Sequence, residues 1–368
     1  MKFSVQREHL ENELQFLQGI AEKKKTIPIL SNILMSASGE SLSLVATDLE
    51  VSLSTRCSAS VAEEGGVTVS SKKLFEVVRS LPDGEIHMSS EGGEWLEVRA
   101  GDSFFRLVTL PVTDFPEVPA ADFEGAVELP HATFREMIRR TIFAVTKEDV
   151  RYSLNGALLE IGDGVIRMVA TDAHRLALIE RNDATVGTQV QVRAIIPKKA
   201  LAEIRDLGEP ETMAFTQDDH HLYFRIEHRV LATRVIEGQF PAYEKVVPQG
   251  NPAIATFSAE GMGAAIRRVS LLASERSRAV KFTFQEGGVT ITSSNPEMGE
   301  ARESLPVGYS GDELTVSFNA QYILDFLAVS TTDEVLVELK DDSSQGLMKP
   351  VDDDDDLNYQ YVIMPMRL

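Results

Sequence analysis

The residues with the clearest capacity for chemistry are Asp172 and His174, together with the adjacent pair His220 and His221. Carboxylates and imidazoles are the usual zinc ligands where cysteines are absent. Their spacing supplies no third ligand on the same element, and Cys57 is the only cysteine, which excludes a cysteine-based zinc site and an intrachain disulfide. We therefore predict no metal site, and a metal-dependent hydrolase that uses Asp172 and His174 is kept as an alternative hypothesis.

The motifs of the common enzyme classes are missing from the sequence. It contains no glycine-rich phosphate loop with a lysine, no Gly-x-Ser-x-Gly nucleophile elbow and no His-Glu-x-x-His zinc motif. We predict a protein with no catalytic residues and no cofactor, so that its function has to lie in binding.

Length and composition are typical of a globular protein with more than one domain. The 368 residues exceed what one core usually supports, and 43% hydrophobic with 25% charged residues is close to the globular average. No apolar run approaches the roughly 18 residues of a membrane helix, and residues 1–7 lack the apolar stretch of a signal peptide. The expected location is cytoplasmic, with no membrane partner.

An internal repeat organises the chain. The segment Val45–Asp48 recurs 124 residues later as Val169–Asp172, and 123 residues further on the segment Ile291–Asn295 places an asparagine where the aspartate stood. A period of this length is too long for a solenoid and indicates separate domains. We predict an α+β fold with three repeated domains, at residues 1–125, 126–252 and 253–368.

Other landmarks keep the same period. Ser71–Leu74 corresponds to Pro197–Ala200 and to Asn319–Tyr322, and Phe115-Pro116 recurs as Phe240-Pro241. The first three segments each follow a strand-like run and open a stretch of helical period, in which Ser71 and Asn319 suit an N-cap and Pro197 suits the first turn. Each repeat is therefore predicted to run helix, several strands, helix, several strands.

The distribution of charge is uneven. The predicted helical segments are 7–25, 69–82, 131–151, 195–209, 259–278 and 317–329. They hold 19 of the 36 lysines and arginines but 14 of the 57 acidic residues, a net of +5 in a chain of net charge −21. If the helices share a face, that face attracts phosphate although the whole chain is acidic. The alternative is that lysine and arginine are simply good helix formers on solvated faces.

Five segments together resemble one known family. They are Met1-Lys2-Phe3, Thr26–Leu30, Thr171–Leu176, Phe240-Pro241 and Met364–Leu368, and with the threefold repeat they resemble the bacterial DNA polymerase III beta clamps. The resemblance implies three DNA-clamp domains per chain and a head-to-tail homodimer that forms a six-domain ring, with helices inside and sheets outside. It also implies a non-catalytic processivity factor of DNA replication that encircles duplex DNA without sequence preference and belongs to a DNA-directed DNA polymerase.

The resemblance further implies an apolar groove for short peptides of replicative and repair polymerases, the clamp loader and other partners. Its residues are Leu154, Thr171, His174, Arg175, Leu176, Pro241, Val246, Asn319, Tyr322, Val362, Met364, Pro365, Met366, Arg367 and Leu368. Apolar side chains would form the concave surface, while His174, Arg175 and Arg367 would supply hydrogen bonds at its rim. The alternative for Met364 and Met366 is that they only fill gaps in a core.

Two more sets of residues follow from the resemblance. The set that faces DNA is Lys23, Lys24, Lys25, Lys72, Lys73, Lys147, Arg151, Tyr152, Lys198 and Lys199, and the set at the dimer contact is Phe105, Leu271 and Leu272. Segment 321–330 has no lysine or arginine, so we expect weak DNA contact there, and the run Asp352–Asp356 is predicted to be a solvated loop. The alternative function is a repeat-built peptide-binding adaptor that does not encircle DNA.

Overall fold

A computed structural model of the chain describes residues 1–21, 27–146, 152–182, 191–351 and 357–367. Within these ranges the same order of elements occurs three times: one strand, a helix, four strands, a second helix and three strands, with one extra short strand in the first and in the third repeat. The predicted alternation of helices with groups of strands is confirmed. The strand that precedes each first helix was not predicted.

The helices and strands of the described residues have the following bounds. The helices are α1 (Arg7–Ile20), α2 (Ser71–Ser80), α3 (His131–Thr141), α4 (Lys198–Asp206), α5 (Ala259–Val269) and α6 (Ala320–Val329). The strands of the first repeat are β1 (Lys2–Gln6), β2 (Asn32–Ser38), β3 (Ser41–Thr47), β4 (Val51–Ser58), β5 (Ser60–Glu63), β6 (Gly65–Ser70), β7 (Glu85–Ser89), β8 (Trp95–Ala100) and β9 (Ser103–Leu110). Those of the second are β10 (Val127–Pro130), β11 (Gly156–Gly162), β12 (Val165–Thr171), β13 (Arg175–Asn182), β14 (Val192–Pro197), β15 (Thr212–Gln217), β16 (His221–Ile226) and β17 (Arg229–Arg234). Those of the third are β18 (Ala253–Ser258), β19 (Ala279–Gln285), β20 (Gly288–Asn295), β21 (Gly299–Pro306), β22 (Gly308–Tyr309), β23 (Leu314–Asn319), β24 (Glu334–Leu339), β25 (Gly346–Pro350) and β26 (Leu357–Ile363).

The helices are shorter than the predicted segments, and two of the three predicted starts are wrong by one residue. The N-cap of α2 is Ser70, whose hydroxyl accepts from the amide of Lys73, so Ser71 is already helical. Pro197 ends β14, and α4 begins after it. Asn319 is confirmed as the N-cap of α6, because its side chain accepts from the amide of Gln321 at 2.9 Å. The apolar periodicity did not reveal where an α-helix gives way to the tighter 3-10 turn that follows α3 and α5.

The strand pairings of the described residues are antiparallel, and two of them join neighbouring repeats. The last strand of the second repeat, β17, pairs with β4 of the first, and the last strand of the third, β26, pairs with β13 of the second. The chain accordingly forms two compact units, one of Met1–Arg135 with Lys199–Val235 and one of Glu136–Lys198 with Ile236–Leu368. The first unit contains a 13-stranded sheet, and the second contains sheets of nine and four strands.

The repeated Thr-Asp motif is a hairpin turn stabilised by its own side chains. Thr47 donates its hydroxyl to the carbonyl of Val51, and the Asp48 carboxylate accepts from the amides of Glu50 and Val51 at 3.0 and 2.7 Å. Thr171 and Asp172 make the same bonds in the second repeat, between β12 and β13. Short polar side chains that satisfy turn amides are favoured at such positions, which explains why the motif recurs.

A buried ion pair connects α1 to β17 within the first compact unit. Arg229 donates to both oxygens of Glu13, at 2.9 and 2.6 Å, and each side chain is 4% exposed. Thr55 also donates to Glu13 at 2.5 Å, and the Arg229 guanidinium lies 4.2 Å from the ring centre of Phe16. Burial raises the pKa of Glu13, but the hydrogen bonds from Arg229 and Thr55 outweigh burial and leave the pKa below its usual value.

No helix of the described residues combines the length and the apolar character that crossing a membrane requires.

We predict that Glu13→Gln lowers the free energy of unfolding by about 3 kcal/mol at pH 7, because the guanidinium of Arg229 loses its buried charge partner and retains the pair with the exposed Glu227. A carboxylate whose folded pKa is depressed stabilises the fold above its unfolded pKa, and this contribution is lost as the pH falls through the folded pKa. The difference between the two proteins, measured by urea unfolding, should therefore shrink below about pH 4.

Glu11→Gln is the control for this prediction. Glu11 also lies on α1 and pairs with Arg7 at 3.1 Å, but this pair is partly exposed. Exposed pairs contribute about 1 kcal/mol or less, so equal losses in the two variants would contradict the role given to burial.

Candidate functional site

An apolar cluster in the second compact unit gathers residues that lie far apart in the sequence. Its buried members are Leu154, Leu158, Val169, Leu176, Leu178, Ile195, Ile236, Phe240, Tyr243, Leu347 and Val362, and Val246 and Val247 pack against it. Leu176 and Val362 are directly paired across β13 and β26. Of the predicted groove residues, Leu154, Leu176, Val246 and Val362 are thus brought together.

The turn between β12 and β13 presents one side chain to solvent beside this cluster. Ala173 has a φ of 73°, and His174 is exposed. The carbonyl of His174 accepts from the amide of Met364 at 2.9 Å, which holds the end of β26 against the turn. The imidazole of His174 is therefore accessible to solvent beside the cluster.

The carboxylate of Asp172 is engaged by its own turn and by Arg175. One oxygen accepts from the amides of His174 and Arg175, and the other accepts from the Arg175 guanidinium at 3.0 Å. Within the described residues no group of three or more histidine, cysteine, aspartate or glutamate side chains is arranged to hold a metal ion.

Arg175 is a structural centre of the site and has little hydrogen-bonding capacity left for a rim. Its guanidinium donates to Asp172, to Asp325 at 2.5 Å and to the carbonyl of Phe143 at 2.6 Å. It also lies 4.4 Å from the ring centre of Tyr322, and the side chain is 10% exposed. One arginine thereby joins the turn after β12, the 3-10 turn at Phe143 and helix α6.

The C-terminal segment continues past β26 and is held to the third repeat. The amide of Met366 donates to the carbonyl of Ser317 at 2.7 Å, while Tyr361 donates its hydroxyl to the carbonyl of Tyr322 at 2.9 Å. Met364 is 36% exposed, so it does not only fill a core. Arg367 is exposed and Pro365 is half-buried, and Leu368 lies outside the described residues.

Two predicted groove residues play different parts. Pro241 is exposed in the segment that leads into the cluster, and Asn319 uses its side-chain oxygen to cap α6.

The prediction missed Phe240 and Tyr243, which are buried members of the cluster. The sequence does contain a signal for Phe240, because the Phe-Pro pair recurs in two repeats. Tyr243 had none, because its hydroxyl bond to Glu160, at 2.6 Å, depends on the fold.

The predicted DNA-facing cations differ in how freely they are presented. The side chains of Lys72 and Lys73 at the start of α2 are 79% and 65% exposed, and both pair with Glu76. Lys198 donates to the carbonyl of Val145 at 2.9 Å. Lys199 donates to the carbonyl of Ile20 at 2.9 Å and pairs with Asp48.

Lys72 and Lys73 are therefore exposed cations in exposed ion pairs, whereas Lys198 and Lys199 are tied into the fold. Tyr152 is 58% exposed. Lys23, Lys24, Lys25, Lys147 and Arg151 lie outside the described residues, as does the run Asp352–Asp356.

The predicted dimer residues lie at two incompletely paired sheet edges. Phe105 is half-buried on β9, which pairs with β6 only at Thr109 and Leu110. Leu271 is 74% exposed, and Leu272 is half-buried in a 3-10 turn that contacts β21. β21 is the terminal strand of the four-stranded sheet.

Comparison with known proteins gives one consistent result. Models of the DNA polymerase III beta subunit match the chain in three parts: the N-terminal domain at residues 1–119, the central domain at 128–242 and the C-terminal domain at 244–367. The beta sliding clamp of Pseudomonas putida is 37% identical over 371 residues, and that of Vibrio cholerae is 36% identical over 371 residues, with full coverage of each chain.

Solved structures show the same similarity. The DNA polymerase III subunit beta of Pseudomonas aeruginosa superposes with a TM-score of 0.94 at 37% identity, and the DNA polymerase sliding clamp of Caulobacter crescentus with a TM-score of 0.92 at 34% identity. Each comparison covers 100% of both chains.

We predict that Arg175→Met lowers the melting temperature by several degrees, because Asp172 and Asp325 lose a shared cation that is almost fully buried. His174→Ala, one residue away, removes only an exposed ring and should leave the melting temperature within about one degree of the original. Calorimetry of the two variants tests this difference. Equal melting temperatures would show that Arg175 does not stabilise the site.

Proposed function

We propose, from the premise that this chain belongs to the DNA polymerase III beta subunit family of sliding clamps, that it is a processivity factor of DNA replication. It encircles duplex DNA, slides on it and tethers the polymerase, and it performs no chemistry itself. The observation that carries the proposal is the match of three consecutive family domains to a threefold repeat, which has a Thr-Asp turn in its first two copies and Ser294-Asn295 at the equivalent place in the third. The domains run from residue 1 to 125, from 126 to 252 and from 253 to 368, and the protein acts in the cytoplasm.

The pairing of strands between repeats supports a head-to-tail homodimer. In the chain, the last strand of a repeat pairs with the second strand of the Thr-Asp hairpin in the preceding repeat, as β17 does with β4 and β26 with β13. β9 is the last strand of the first repeat, and by the same rule it needs the second strand of a hairpin as its partner. β21 is the second strand of the hairpin in the third repeat, and within the described residues it has no last strand of a repeat paired with it. A second copy supplies both partners, so two chains close a ring of six domains, with the helices inside and the sheets outside.

The exposed cations of the helices support contact with phosphate. Lys72 and Lys73 are the best-presented of the described candidates, and they address the DNA backbone without reading sequence. Lys198 and Lys199 contribute positive potential while they hold α4 in place. Helix α6 carries no basic residue, so we expect weak contact with DNA at this helix.

The apolar cluster beside His174 supports a groove for short peptides of polymerases, the clamp loader and repair proteins. Leu154, Leu176, Val246 and Val362 form its apolar floor, and the exposed Met364 offers an adaptable wall. His174, Pro241 and Arg367 lie at its rim. Exchange between partners favours affinities near the micromolar range, about −8 kcal/mol. No observation favours the alternative of an adaptor that does not encircle DNA.

We predict that Lys72→Glu with Lys73→Glu weakens DNA binding for all sequences alike and flattens its salt dependence. Each phosphate that the protein no longer neutralises should reduce the steepness of log K against log salt by about 0.9. Fluorescence titrations at several salt concentrations measure this slope.

The control is Lys2→Glu with Lys340→Glu, which changes the charge equally at exposed positions outside the helices. This variant should retain the slope. If the slope flattened equally in the control, the effect would not be specific to α2, and the placement of Lys72 and Lys73 at the DNA phosphates would be contradicted.

We predict that Leu271→Glu converts the dimer to a folded monomer, because a carboxylate forced into an apolar contact costs several kcal/mol. Sedimentation should show the halved mass, and retention on circular DNA should be lost with it. Ile254→Glu, at a 47% exposed apolar residue of β18, is the control and should remain dimeric. A dimeric Leu271→Glu protein would place the interface elsewhere.

We predict that deletion of residues 364–368 separates the two functions. The dimer and its retention on circular DNA should persist, since the deletion leaves β9 and β21 intact. Binding of a polymerase-derived peptide should fall at least about tenfold, or roughly 1.4 kcal/mol, because the wall formed by the exposed Met364 is removed. Fluorescence anisotropy measures the affinity. An intact dimer with unchanged peptide affinity would show that the groove lies elsewhere.

A further inference from the structure

The first compact unit contains a cleft built on the same frame as the groove of the second. The turn Thr47–Val51 makes the hydrogen bonds of the turn 171–175. The amide of Arg234 donates to the carbonyl of Glu50 at 2.9 Å, as the amide of Met364 does to that of His174. Phe115 is 8% exposed in a small apolar cluster with Leu30, as Phe240 is 7% exposed in the cluster with Leu154.

The two frames differ in the side chains that form their floors. In the groove, the first cross-strand pair that follows Arg175 along β13 is Leu176 with Val362. At the equivalent register of the first unit, the pair is Ser52 with Ala232. These smaller side chains leave open a cleft of about 550 Å³, which is lined by both residues. This volume lies within the range of ligand-binding pockets.

Leu49 projects from the turn into solvent at the edge of this cleft. Its φ is 76°, and the side chain is 49% exposed. A leucine with positive φ is strained and gains nothing from exposure, whereas the equivalent residue of the groove turn is the small Ala173 with a φ of 73°. An apolar side chain held in this way is available for contact with a bound partner.

The charge of the lining indicates the chemistry of that partner. Glu50 and Glu117 line the cleft and are both exposed. Arg234 is the cation of the lining, and His221 faces Asp218 at 3.5 Å. Val118 and Pro119 continue the apolar wall that Leu49 begins. The carboxylates outnumber the guanidinium, so the cleft complements a segment with positive charge on either side of an apolar residue.

We propose that this cleft is a second peptide site, which takes a short segment with one apolar residue flanked by lysine or arginine. The apolar residue lies against Leu49, Val118 and Pro119, and the flanking cations pair with Glu50 and Glu117. The proposal rests on the proposed function, because it treats the cleft as a repeat-related counterpart of the peptide groove. It differs from that groove in preferring basic peptides.

The test uses the full-length dimer and a labelled, end-blocked heptapeptide with one leucine between lysines. An unlabelled polymerase-derived peptide saturates the groove during the titration. We expect the labelled peptide to remain bound under these conditions, and a version with glutamates in place of the lysines to bind at least about tenfold more weakly. Complete displacement by the unlabelled peptide would overturn the proposal.

Two variants give the decisive comparison. Leu49→Asn suits the positive φ, so its melting temperature should not fall, yet it should lose at least about tenfold in affinity for the basic peptide. Glu50→Lys with Glu117→Lys should lose as much, whereas Glu40→Lys, at an exposed residue outside the cleft lining, and His174→Ala should lose nothing.

Unchanged affinity in Leu49→Asn would overturn the second site and leave the clamp intact. Failure of the proposed function would appear separately, as loss of retention on circular DNA by the unmodified protein.

Discussion

The pairing of strands between repeats is the constraint on which the rest of the structure depends. A repeat on its own leaves its last strand and its Thr-Asp hairpin with unpaired backbone groups, which are costly to bury and prone to aggregate when exposed. Pairing β17 with β4 and β26 with β13 satisfies two such edges within the chain. The edges of β9 and β21 remain within the described residues, and in the proposed head-to-tail dimer a second copy pairs with both.

The repeat was predictable because its turn depends on local side-chain bonds. Thr47 and Thr171 donate to carbonyls four residues away, while Asp48 and Asp172 accept from amides two and three residues away. Asn295 keeps one of these bonds by accepting from the amide of Glu297 at 3.0 Å. A local requirement leaves a local signature. The ends of helices are less well determined, since an apolar residue packs equally well in the last α-turn and in a following 3-10 turn.

The candidate site was predictable as a set of positions, but the roles of its long polar side chains were not. Arg175 and Lys199 were expected to act outward. In the structure Arg175 joins Asp172 to Asp325, which is 150 residues away, and Lys199 reaches Asp48, 151 residues away. Arginine and lysine carry flexible stems, and which acceptor they reach is decided by the tertiary fold. Short side chains such as Leu176 and Val362 have no such choice, because strand alternation fixes the face on which they lie.

The two junctions between repeats contain the same kinds of side chain, but these side chains come from different positions. In the first unit Arg229 of β17 lies over Phe16 of α1 and pairs with Glu13 of the same helix. In the second unit the arginine is on the helix instead: Arg140 of α3 lies 5.3 Å from the ring centre of Tyr359 of β26 and pairs with Glu136. A cation, a carboxylate and an aromatic ring fill both positions, so that each buried guanidinium has its charge matched. Aligning the repeats residue by residue hides this equivalence. The same reasoning applies to the two clefts beside the Thr-Asp turns, where a common backbone frame carries different side chains and therefore suits different peptides.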